Sequence, residues 1–183
     1  IQGLILTSAN GATDLEAFVP ALRARIDALA AAHLVGVADE QMAPVSLRDI
    51  LDAVLKPYRT EETDMTVDGP DLALPARLVT PLGLVLHELA TNAVKHGAWA
   101  VPRGRIAVEW SVAEAGPEFV LELAWQETLP DAGAPGDAGG TGFGGRLIDA
   151  SLVQVRGQIR REWRAHGLRV RLSVPLPQQE QAA

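Results

Sequence analysis

The chain has 183 residues, enough for one ordinary domain with a helical appendage, and its lack of cysteine excludes disulfides and thiolate metal sites. A net charge of −7 argues against nonspecific binding to nucleic acid or to anionic membranes. Hydrophobic residues make up 48% and aromatics only 4%, so the core must be mostly Leu, Val, Ile and Ala. No apolar run approaches the ~20 residues of a membrane span, and no secretory signal pattern opens the chain. The first residue is Ile1 rather than Met, so the expectation is a piece of a longer protein.

Residues 1–9 read as the tail of a helix that began upstream. Asn10-Gly11 marks a turn, and Thr13 or Asp14 can cap the next helix. From 14 to 36 the pattern is helical, with Leu15, Phe18, Val19, Leu22, Ile26, Leu29 and His33 near one stripe and Pro20 as a kink or a delayed start. Two such helices make a hairpin over 1–37, and a second hairpin is needed to bury it, which points to a four-helix bundle formed by a homodimer. Residues 38–45 read as a linker.

Ser46 caps a short helix, SLRDILDAVLKPY, ended by Pro57. DMTV at 64–67 is a strand, broken by Gly69-Pro70. A helix runs from Pro75 to His96, with Pro81 suited to opening it at its first turn and Gly97 to closing it. Strands follow at 105–112 and 118–125 around Gly116-Pro117. A long Gly/Pro/Ala/Asp loop covers 128–145, a helix about 143–154, and two strands 157–164 and 168–174 around His166-Gly167. The tail over 177–183 is polar. Together these elements predict an α/β two-layer sandwich, a mixed or antiparallel sheet packed on helices, over 46–176, preceded by the helical hairpin.

HELATNAVKHG, residues 87–97, lies on the long helix. Leu82, Leu86, Leu89 and Ala93 form one apolar stripe; Glu88, Thr91, Asn92 and Lys95 gather on the opposite face. A solvated surface face is the plain alternative, but Thr and Asn each cost roughly 0.5 kcal/mol against Ala in a helix, and a face meant only for water would use Glu, Lys or Gln. An amide oxygen, an ammonium and a carboxylate on one face suit a divalent cation and a phosphate, with Asn92 as a hard oxygen ligand, Lys95 as a point charge and Glu88 as a proton acceptor. A zinc-protease H-E-x-x-H is excluded, because Thr91 stands where the second histidine belongs.

GGTGFGGRLI, residues 139–148, is the other informative stretch. Gly140, Gly142 and Gly145 satisfy a formal G-x-G-x-x-G, but no strand directly precedes it and no G-K-S/T occurs in the chain. A plain loop ending in a capped helix and a phosphate cradle at the helix N-terminus fit these glycines equally. The length of the loop favours a functional lid.

HELATNAVKHGA resembles the N box of the ATP-binding domain of sensor histidine kinases, and GFGGRLI resembles their G2 box. An H-E within the N box together with W-x-E, here Trp125 to Glu127, is the signature of the HWE-type histidine kinases. The order and spacing of the three motifs match, and the resemblance covers most of the chain. It implies a Bergerat-type ATP-binding fold of the GHKL superfamily and a cytoplasmic bacterial kinase core. That core would bind ATP and Mg2+, move the γ-phosphoryl group to a histidine, and pass it to the aspartate of a response regulator receiver domain. By resemblance Asn92 would ligate magnesium, Glu88 would orient or deprotonate the phosphoacceptor, and Lys95 would contact phosphate. Glu127 would stand where other histidine kinases use an Asp to read the adenine amino group, with Trp125 supporting that wall. Gly142 and Gly144 would form the hinge of the ATP lid over Phe143, and His87 marks the subfamily. The family's Gly-Gly-Pro-like continuation of W-x-E is replaced by Thr128-Leu129-Pro130, so the lid is atypical. The phosphoacceptor is expected upstream of Ile1; His33 has the place of a structural histidine, and His166 sits in a hairpin turn. The runner-up is a non-ATP-binding histidine phosphotransferase with a degenerate kinase fold.

Overall fold

The computed structural model describes residues 45–60, 63–116, 118–130 and 143–176. The expected hairpin over 1–37, nearly all of the linker, most of the glycine-rich loop and the polar tail lie outside these residues.

The described chain opens with β1 (Val45–Ser46), which pairs antiparallel with β3 (Ala73–Leu74). Val45 is buried in that pairing and so does not belong to a linker. The Ser46 hydroxyl accepts from the Arg48 N–H at 3.2 Å, as its position before the helix predicted. The helix it caps, α1 (Leu47–Leu55), buries Leu47, Ile50, Leu51, Val54 and Leu55, one stripe at helical spacing. Pro57 has no N–H to continue the ladder, and the chain tightens into a 3-10 turn, Lys56–Tyr58, that carries Tyr58 back toward the core.

Five more strands and two helices complete the unit: β2 (Asp64–Asp68), α2 (Ala76–His96), β4 (Arg105–Ala115), β5 (Glu118–Thr128), α3 (Phe143–Gln154), β6 (Gln158–Arg164) and β7 (Gly167–Leu176). The main sheet has the order β2-β4-β5-β7-β6. Only β2 pairs parallel, with β4; the other three pairings are antiparallel, so the sheet is mixed as expected. β4 and β5 are longer than their apolar alternation indicated, reaching Ala115 and Thr128, because each residue finds a partner across the hairpin. Gly116, at φ +66°, makes that turn. Trp125 to Glu127 therefore lie within β5, not after a strand.

One face of the sheet is covered. Ile106, Val108 and Trp110 of β4, Leu121, Leu123 and Trp125 of β5, and Val170, Leu172 and Val174 of β7 alternate inward and meet α1, α2 and α3 in a single core. α2 begins at Ala76, with Pro75 extended before it, and Pro81 sits inside the helix rather than opening it. Leu78 and Val79 precede Pro81 and are buried. Their burial, at about 1.5–3 kcal/mol per large aliphatic side chain, extends the helix past the hydrogen bond that proline removes.

Arg48 fastens α1 to the edge of the sheet. Its guanidinium donates to the carbonyls of Val67 (3.3 Å) and Gly69 (3.0 Å) and lies 5.0 Å above the Trp110 ring. Trp110 in turn donates to the Pro70 carbonyl at 2.9 Å. Arg48→Ala is expected to lower unfolding stability by about 1–2 kcal/mol, read from denaturant titration. Arg48→Lys should recover less than half of that, because an ammonium cannot fork to two carbonyls while stacking.

Candidate active site

Not all of the polar residues of α2 face open water. Leu82, Leu86, Leu89 and Ala93 are buried as expected, but so are Val85, His87 (9% exposed), Glu88 (4%) and Ala90. The helix is enclosed almost all round from Pro81 to Ala90 and emerges only in its last turns. Thr91 and Asn92 are half-buried, and Lys95 and His96 are exposed. The four polar positions thus descend from core to surface along about two turns of helix. A carboxylate is rarely buried to this extent without a purpose.

His87, Trp125 and Glu127 come together through residues that sequence reading missed. The His87 Nδ1 and the Tyr58 hydroxyl are 3.2 Å apart, and the same hydroxyl is 3.1 Å from the Thr91 Oγ1. The Tyr58 ring stacks on Trp99 with centroids 6.0 Å apart at 16°, and Trp99 meets Trp125 edge-on at 6.2 Å and 75°. Trp125 Nε1 then donates to the Glu127 Oε1 at 3.1 Å. The other carboxylate oxygen accepts from the Ala98 N–H at 2.8 Å, so β5 is tied to the turn that follows α2. Gly97 is required there, since a side chain would collide with the Glu127 carboxylate. Burial pushes the Glu127 carboxyl up from the ordinary range, partly opposed by the Ala98 and Trp125 hydrogen bonds. The Tyr58 phenol is also raised, by burial first and further by the Glu88 charge, while its bond to Thr91 opposes the shift.

Tyr58 and Trp99 had left one trace in the sequence: they are two of very few aromatics, each just beyond the end of a predicted helix. Trp125 is fully buried and can only support a binding wall from behind. Phe143 and Gly144 lie in the first turn of α3, so neither is part of an open loop; Gly142 lies outside the described residues. His166 is exposed in the β6–β7 turn, where its carbonyl accepts from the Leu129 N–H at 2.9 Å. An open cleft of about 800 Å³ lies beside Tyr58, Val94, Trp99 and Arg103, but Glu88, Asn92 and Lys95 do not line it. Among the described residues, no three His, Cys, Asp or Glu side chains gather as a metal site. Nor is any helix among them long and apolar enough to cross a membrane.

This sheet, with its central buried helix, defines the class. The fold is that of the histidine kinase domain of the blue-light activated histidine kinase from Erythrobacter litoralis EL346, with a TM-score of 0.68 over 86% of this chain and 76% of that one, at 18% identity. In sequence the chain is similar to HWE histidine kinases. The HWE histidine kinase family model matches residues 1–71. The blue-light-activated histidine kinase 1 of Erythrobacter litoralis (strain HTCC2594) is 36% identical over 98% of this chain and 50% of its own length. A blue-light-activated histidine kinase of Rhizobium johnstonii is 34% identical over 91% of this chain and 46% of its own. The chain therefore spans about half the length of these curated relatives.

Proposed function

We propose that this chain is the kinase core of a cytoplasmic two-component sensor histidine kinase. It binds Mg-ATP, transfers the γ-phosphoryl group to a histidine, and works as a homodimer that relays the group to a response regulator aspartate. The observation that carries this reading is the graded burial of the α2 face: Glu88 at 4% exposure, Asn92 half-buried one turn later, Lys95 at the surface. Such a face holds the reacting end of a phosphate chain at the boundary between core and water.

The residues fit magnesium in the manner that ion prefers. It keeps several waters and substrate phosphate oxygens, so a single protein oxygen suffices, and the Asn92 amide supplies one without adding charge. Magnesium, when bound, neutralises charge on the phosphates. The chain's own residues do the rest. Lys95 balances phosphate charge as a point cation. Glu88, in surroundings of low dielectric, orients the acceptor imidazole and takes its N–H proton as the nitrogen–phosphorus bond forms and the bond to the ADP oxygen breaks. Trp125 supports the adenine wall from behind, and each Glu127 oxygen keeps a second lone pair for the adenine amino group. The first turn of α3, with Phe143 and Gly144, and Gly142 before it, form the hinge of the lid.

Calorimetric titration of ATP into the chain, with and without magnesium, tests the reading. Magnesium-dependent binding is expected. A folded chain that binds no nucleotide under either condition would end it and put a phosphotransferase relative in its place.

A further inference from the structure

The hydrogen-bond chain at Tyr58 has only one consistent direction. Thr91 Oγ1 lies 2.8 Å from the His87 carbonyl oxygen, which can only accept, so the single threonine proton is committed there. At the 3.1 Å contact with Tyr58 the threonine oxygen must then accept, which commits the phenolic proton. At the 3.2 Å contact with His87 the phenolic oxygen has no proton left to give, so Nδ1 must supply one. Any other assignment leaves two of these heavy atoms in contact with no hydrogen between them. The raised phenol pKa keeps Tyr58 protonated, as this arrangement requires.

We propose that Tyr58 is a positioning residue that, with Thr91, locks His87 as the Nδ1–H tautomer and thereby fixes the Glu88–Asn92 turn of α2. A neutral imidazole normally exchanges its proton between two nitrogens, and the partner of one nitrogen decides which carries it. Here that partner comes from the turn after α1, far from the motif. The lock makes Nε2 an acceptor in the neutral ring and sets the ring's orientation. The same phenol ring, stacked on Trp99, joins His87 to the aromatic path that ends at Glu127. The tautomer assignment stands on hydrogen-bond geometry alone; its consequence for nucleotide binding rests on the Mg-ATP reading above.

The test is nitrogen-15 NMR of the histidine side chains in mildly alkaline buffer, with His87 assigned by its loss in His87→Gln. In the wild-type chain the His87 Nδ1 should show the protonated, pyrrole-type signal. Tyr58→Phe keeps the ring on Trp99 but removes the acceptor, so the proton should move toward Nε2. Thr91→Val frees the phenolic proton to point at Nδ1, so it should also drive the proton to Nε2, now with Tyr58 intact. A deprotonated Nδ1 in the wild type, or no change in either variant, overturns the assignment. Mg-ATP affinity in Tyr58→Phe should fall about tenfold, as for loss of a group that orients a site from behind, with a melting temperature close to wild type. A shifted tautomer with unchanged affinity overturns the positioning role. If the wild-type chain shows the expected tautomer but binds no Mg-ATP, the kinase reading and the positioning role both fail while the assignment survives.

Discussion

Asn92→Ala is expected to abolish magnesium-dependent ATP binding, weakening it by about a hundredfold or more, while the fold survives. The substitution removes the single protein oxygen proposed for the ion, and even the partners that only support a metal ligand cost about 10–100-fold when lost. Stability should hold, because Asn92 is only half-buried and Ala is the better helix former by roughly 0.5 kcal/mol. Asn92→Asp keeps an oxygen but sets a second charge near Glu88 and against the phosphates, so it should restore only part of the affinity. Calorimetry beside thermal unfolding separates the two effects. Equal affinity in Asn92→Ala and wild type would remove the metal from this helix.

Glu127→Ala should cost about 2–6 kcal/mol of folding stability, the sum for two buried neutral donors left without an acceptor. Two donors lose their acceptor at once, the Ala98 N–H and the Trp125 indole N–H, and each buried donor left unpaired costs about 1–3 kcal/mol. The same residue predicts a pH dependence with a definite sign. Its folded pKa is raised above the ordinary carboxylate value of 4.5, chiefly by burial. Its contribution to stability is therefore fully present below the unfolded pKa and is lost as pH rises through the folded one. In Glu127→Gln that loss should vanish. The stability difference between wild type and Glu127→Gln should thus shift in favour of the variant as pH rises through the mildly acidic range. Denaturant midpoints measured at several pH values check this, and a difference that is flat or of opposite slope contradicts it.

The sequence was informative where local rules decide the outcome. Ser46 at a helix start, the aliphatic spacing of α1 and α2, and the alternation in β4, β5 and β7 each specify an element through contacts within a few residues. β1 and β3 were not legible because two-residue strands carry no periodicity. The parallel partner of β2 was not legible either, since strand order is set by how layers pack. Glu88 illustrates the limit best. A helical wheel puts it on a polar face, and only the packing of neighbouring layers decides that this face is covered. Pro81 misled for the same reason, since packing outweighed the local preference of proline for a first turn. Within the candidate site, the residues on α2 and β5 were named from motifs, but the connection between them was not. Tyr58 and Trp99 sit in short turns without a pattern, and their contacts span three separate parts of the chain.

The parallel pairing of β2 with β4 has a kinetic consequence. β4 and β5 meet across a tight turn, whereas Asp64 must find Arg105 across about forty residues, with all of α2 in between. Contacts this distant in sequence gain nothing until the intervening chain has been ordered, so they form late and open early. The helix that carries Glu88 and Asn92 is the segment that this closure encloses. Assembly of the site is thus coupled to a long-range strand pairing, and a chain caught before that step would lack an organised phosphate end.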